Sequence, residues 1–143
     1  MIVSILIAAS AAGATPMPAQ PSAPAEIQVD VGKGNFASLP PLQAVDRRLP
    51  SPGMVERVEK MLSAGTCSLP GQSAAQFDIT VPYAVQVQPD GSASRVIVSE
   101  VGCPALESYV GLLVLERARQ GDFAPSKAAQ TRWYGDDINF NLR

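Results

Sequence analysis

The chain contains no histidine. That absence removes the usual general base, the usual activator of a serine or cysteine nucleophile, and the commonest zinc ligand. Serines are numerous, yet neither Gly-x-Ser-x-Gly nor Ser-x-x-Lys occurs. With nothing to activate a hydroxyl, the sequence reads as a non-enzyme with no catalytic residue, no cofactor and no small-molecule substrate. Cysteine is scarce too. Cys67 and Cys103 are the only two, no Cys-x-x-Cys redox pair exists, and no further ligands cluster near either to hold a metal. Charge is weak: the formal net charge of −2 comes without any basic cluster, and aromatics make up only 6%. Nucleic acid is thereby excluded as a partner, and anionic lipid finds nothing to hold.

What the chain does have is one segment with a single reading, Phe77 to Glu100. Phe77, Ile79, Val81, Tyr83, Val85 and Val87 alternate with Asp78, Thr80, Pro82, Ala84, Gln86 and Gln88, so one face of a strand is apolar and the other mostly polar. Pro89-Asp90-Gly91 then supplies a turn, and Ser94 to Ser99 is again rich in β-branched residues. This predicts an antiparallel hairpin. Pro82 cannot donate to a ladder, so pairing is expected to concentrate on Tyr83 to Gln88, or to bulge near Pro82.

The front of the chain has a different character. Met1 to Ala14 is an apolar run ending in Ala12-Gly13-Ala14, the small-x-small pattern of signal-peptide cleavage, so residues 1–14 are expected to direct export to the periplasm. An uncleaved anchor, the sole expected membrane contact, and a plain apolar N-terminus are the alternatives. Residues 15–50 are expected to form a Pro/Ala-rich tether and extended segment. Within it, Ile27, Val29 and Val31 alternate as a short strand does, and Leu39-Pro40-Pro41-Leu42 reads as an extended piece laid over the folded part.

Residues 51–143 are expected to be the folded domain. Ser51, Pro52 and Gly65 punctuate a helix whose Met54, Val55, Val58, Met61 and Leu62 share one face. A second helix opens at Cys103-Pro104, carries Leu106, Tyr109, Val110, Leu113 and Val114 as its apolar stripe, and closes at Gln120-Gly121. Thr131 to Leu142 supplies strand-like runs around a turn or bulge at Gly135-Asp136-Asp137, ending with Ile138, Phe140 and Leu142 alternating with Asn139 and Asn141. The expected fold class is α+β: a small antiparallel three-stranded sheet with two helices on one face, in the order α-β-β-α-β, the first strand lying in the middle. Trp133-Tyr134 is expected to pack the sheet against a helix, and Asp136-Asp137 to serve turn chemistry and not ion binding.

Val85-Gln86-Val87-Gln88-Pro89-Asp90-Gly91, Arg95 to Val98, Ser99-Glu100-Val101-Gly102, a helix from Ala105-Leu106-Glu107, Gly121-Asp122-Phe123-Ala124-Pro125 and a closing Ile138-Asn139-Phe140-Asn141-Leu142 follow one another in order. Together they resemble the C-terminal domain of the TonB energy-transducer family, over roughly residues 77–143. The resemblance implies a periplasmic domain whose last strand captures an extended peptide of an outer-membrane transporter by strand addition, a mode that needs an open sheet edge and pockets for alternate side chains. It places the peptide-binding edge at Ile138, Asn139, Phe140, Asn141 and Leu142. The chain departs from the family in carrying Leu106-Glu107 where a leucine-aspartate pair is usual. It also lacks the long proline-rich spacer, the tyrosine-proline opening, and the histidine that engages the proton-driven motor.

In an exported protein, Cys67 and Cys103 are a candidate disulfide, with two free buried thiols as the alternative. The functional expectation is an exported, envelope-located protein-binding module. The alternatives are an envelope structural protein whose last edge is covered, for instance by Ile27 to Val31, and a small inhibitor or regulator.

Overall fold

A computed structural model describes residues 26–43, 49–121, 123 and 130–143; the expected signal at residues 1–14 lies outside them. In chain order the elements are β1 (Gln28–Gly32), a 3-10 turn (Phe36–Ser38), α1 (Pro52–Ser63), β2 (Phe77–Val87), β3 (Ala93–Ser99), α2 (Pro104–Arg119) and β4 (Arg132–Leu142).

The sheet corrects the expectation. It has four strands in the order β1-β3-β2-β4 and is mixed, not three-stranded and antiparallel: β1 joins parallel to β3, with Val29 opposite Val96 and Val31 opposite Val98. The helix-plus-sheet class holds. The added strand has a physical cause, because the β3 ladder would otherwise end in an unpaired row of amides, and Val29 finds apolar cover under α2.

β2 is central, antiparallel to both β3 and β4. Its pairing with β4 runs its whole length, whereas pairing with β3 begins only at Tyr83. Pro82 therefore turns its missing N–H toward a stretch where no β3 ladder exists. The bulge falls elsewhere, at the Gln86/Val87 step, where Ser94 is the extra residue and its hydroxyl donates to the Gln86 side-chain oxygen at 3.1 Å. At the hairpin tip the Asp90 carboxylate accepts from the Ser92 hydroxyl (2.6 Å) and amide (2.9 Å), which holds its pKa below the usual carboxylate value.

The odd-numbered residues of β2 meet both helices in one core, together with Val96, Val98, Ile138, Phe140, Val58, Leu106, Val110 and Val114. α1 begins with the Ser51 carbonyl accepting from the amides of Met54 and Val55, and Glu56 pairs with Lys60 at 3.2 Å on its outer face. α2 is anchored at its start. Cys67 and Cys103 form a disulfide with Cα atoms 5.4 Å apart, and the buried Glu107 carboxylate accepts from the amides of Val101 (2.8 Å) and Gly102 (3.1 Å). Phe123 covers the far end of α2, with the Arg117 guanidinium 5.8 Å from its ring centroid.

After β1 the chain crosses the face of the sheet opposite the helices, through the 3-10 turn. It reaches the outer edge of β4 at Pro40–Leu42, and Leu42 turns into the core, 6% exposed. Residues 26–43 are thus built into the folded unit.

Candidate functional site: the outer edge of β4

β4 is an edge strand of eleven residues, paired on its inner side with β2 throughout. The Gly135-Asp136-Asp137 run, expected as a turn or bulge, instead lies within this continuous strand. What the glycine provides is space. A Cβ at Gly135 would stand 2.6 Å from the Phe36 carbonyl oxygen and 3.2 Å from Leu39 Cβ, so only a bare backbone lets the crossing segment pass. There the Gly135 amide donates to the Pro40 carbonyl, and its carbonyl accepts from the Leu42 amide, both at 2.9 Å. This short strap lies parallel to β4.

The same two bonds fix which way the remaining groups of β4 face. Backbone groups alternate along an antiparallel strand, so if Gly135 points outward, Asp137, Asn139 and Asn141 do also. The Asp137 amide is engaged by the Asp136 carboxylate at 2.9 Å. Beyond it, no described residue hydrogen-bonds the backbone of Asn139 or Asn141. The five residues expected to form the peptide-binding edge therefore sit on one strand in two registers. Ile138 and Phe140 are buried on the helix face, with Leu142 half-buried beside them, while Asn139 and Asn141 lie on the opposite face.

On that opposite face the Asn139 amide group donates to Asp78 Oδ1 and Thr80 Oγ1, each at 2.7 Å, which holds β4 flat against β2. Trp133 is on this face as well, not against a helix, with the Arg95 guanidinium 5.8 Å from its ring and Arg95 paired in turn with Asp30 at 3.3 Å. Tyr134 is the one of the pair that packs against the core. On the helix face, Asp136 accepts from the Tyr83 hydroxyl at 3.3 Å, and burial pushes the Tyr83 pKa well above its usual value, with the Asp136 charge adding to the effect.

Two depressions flank the open stretch. One, about 490 Å³, lies between the strap and Asp136-Asp137; the other, about 640 Å³, lies at the far end, between Gly71–Asp78 and Asn141–Arg143. No protein-family model matches the chain, and neither the curated proteins nor the solved structures compared with it give a match. Among the described residues, no group of three or more acidic, cysteine or histidine side chains stands together to hold a metal, and no helix is long and apolar enough to cross a membrane.

Chemically, the arrangement offers backbone donors and acceptors at the spacing of one strand, between a polar face and an apolar one. Sequence reasoning missed the strap's bond to Gly135, because a glycine before two aspartates carries the composition of a turn whether or not the chain bends there. It also missed Glu107 as a structural group. The signal was available in its place within the first turn after Pro104, where a carboxylate can reach back to free amides.

Proposed function

We propose that this chain is an exported binding module of the cell envelope that captures an extended segment of a protein partner by strand addition along Ile138–Leu142, as the resemblance to the TonB C-terminal domain implies. The partner class that follows from the resemblance is an outer-membrane transporter. The observation that carries the reading is the backbone of Asn139 and Asn141, directed away from β2 with no described residue to meet it. The chain's own strap takes up this edge at Gly135, where Pro40–Leu42 pairs with it, so a peptide has only the stretch beyond Asp137 to join. A captured peptide would continue that pairing, alternating its side chains between the Asn139/Asn141 face and the α1 side of the sheet.

NMR titration with extended transporter-derived peptides tests this. The Asn139 and Asn141 amides should shift and gain protection from exchange, and unchanged spectra at millimolar peptide would sink the proposal. The strap also favours a second reading, an envelope structural or regulatory protein in which the edge is closed by the chain itself. On that reading, loosening the strap with Gly135→Val, and not adding peptide, changes exchange at Asn139 and Asn141.

A further inference from the structure

The sheet has a second edge, and its chemistry differs from that of β4. The Gly32 carbonyl accepts from the Glu100 amide at 3.0 Å, which fixes the direction of every group in β1. Gln28, Asp30 and Gly32 face β3, and Ile27, Val29 and Val31 present their amides and carbonyls outward. No strap crosses this edge among the described residues. The strand has no proline, no lysine and no bulge between Gln28 and Gly32, and its one charged side chain, Asp30, is paired with Arg95.

The helix above it packs closely on the strand's inner side. Gly111 of α2 sits so close to β1 that a Cβ there would come 3.0 Å from Val29 Cγ1, while Tyr109 faces the other way, its ring 6.4 Å from that of Phe140 on β4. With these two directions fixed, helical geometry puts Ser108 and Leu115 on the flank above the outer edge of β1, and Leu112 on the ridge opposite the buried Leu106, Val110 and Val114, facing away from the sheet. Leu112 is 63% exposed and Val31 48%, and these two are the exposed large hydrophobic residues among those described.

We infer that this edge is the self-association surface of the protein, with β1 of one copy pairing antiparallel with β1 of a second copy about a two-fold axis through Val29. The residue pattern selects a second copy and this register. Centred on Val29, the outward groups of Ile27, Val29 and Val31 meet those of Val31, Val29 and Ile27 of the other copy. Gln28 then lies opposite Asp30, and Glu26 comes beside Lys33. Sliding by one step in one direction puts Asp30 opposite Asp30; sliding in the other puts Glu26 opposite Asp30. Like charges directly opposite are unfavourable in a sheet, so both slips are disfavoured. The seam joins the two sheets into one and covers the exposed Val31 side chains, which lie on the α2 side of the sheet.

Sedimentation equilibrium of the full chain from micromolar to millimolar concentration, with amide exchange on the same samples, tests the inference. A reversible dimer is expected, with protection of the Ile27, Val29 and Val31 amides rising with concentration. The variant Val31→Pro, which removes an outward amide and no bond to β3, should weaken dimerisation about tenfold or more while leaving the circular dichroism spectrum unchanged. A chain that stays monomeric throughout overturns the inference. So does a dimer that Val31→Pro leaves intact, or one whose concentration-dependent protection appears at Asn139 and Asn141. The peptide titration reads the opposite edge, so either proposal can fail without the other.

Discussion

The Gly135 carbonyl accepts from the Leu42 amide, and the Gly135 amide donates to Pro40, so one residue of β4 exchanges both its backbone groups with a segment nearly a hundred positions earlier. This contact fastens the strap and fixes which backbone groups of β4 face outward.

Gly135→Val is therefore expected to be costly in a particular way. The new side chain meets the Phe36 carbonyl, a backbone atom that cannot step aside without lifting the strap. Overpacking of this kind costs about 1–3 kcal/mol. Urea unfolding should show the loss, and the Leu42 amide should lose its protection from exchange in the variant. Full protection at Leu42 would show that the strap is not held where its two hydrogen bonds put it.

Much of the fold was legible because the residues carry period and punctuation. Phe77 to Val87 alternates without a break, and Pro52, Gly65, Pro104 and Gly121 bracket the helices. The disulfide was legible from the positions of the two cysteines, one after the first helix and one opening the second. What escaped was long-range. Ile27, Val29 and Val31 show alternation, but nothing local says that their partner is β3, nearly seventy residues on, or that the pairing is parallel. The Gly135-Asp136-Asp137 run failed for the complementary reason: its composition is that of a turn, and only the strap crossing above explains a glycine inside a strand. For the candidate site, the alternation at 138–142 gave the two faces, while the direction of the backbone groups became readable only from the bonds at Gly135.

Reducing the disulfide should expose how much of the stability rests on it. Cys67 and Cys103 are separated by 36 positions, and closing a loop of that length stabilises by about 4 kcal/mol in the chain-entropy model. Guanidinium unfolding with and without reductant should differ by about that amount, with Cys67→Ala/Cys103→Ala matching the reduced protein. Labelling of the unfolded, unreduced chain should find no free thiol. Equal midpoints with and without reductant would contradict this.

Glu107 is expected to matter more than its place on a helix surface suggests. It is 4% exposed, and its carboxylate serves the amides of Val101 and Gly102, which lead into the disulfide and α2. Glu107→Ala leaves both amides without that acceptor and should cost about 1–3 kcal/mol. Glu107→Gln keeps a carbonyl oxygen in the same place and should cost less. Thermal or urea unfolding of the two variants decides it, and equal losses would mean that packing, not hydrogen bonding, is what Glu107 contributes.

Tyr83 sets the alkaline limit of stability. Its side chain is fully buried and its hydroxyl donates to Asp136, so burial first and the neighbouring carboxylate second raise its pKa in the folded state. In the unfolded chain it ionises near its ordinary value of about 10. A group whose folded pKa lies above its unfolded one contributes stability that is complete below the unfolded value and is lost as pH rises past it. Stability should therefore fall above about pH 10, with a slope approaching 1.4 kcal/mol per pH unit from this residue. Burial also raises the pKa of Tyr109, an effect the Arg57 guanidinium, 4.9 Å from its ring centroid, partly offsets. The difference between wild type and Tyr83→Phe isolates Tyr83. The variant should be less stable at pH 7, where the hydroxyl's bonds to the exposed Asp136 and to the Arg117 guanidinium are both missing. It should lose less stability than wild type between about pH 10 and 12. Parallel curves for the two proteins across that range would show that the Tyr83 phenol ionises as readily folded as unfolded.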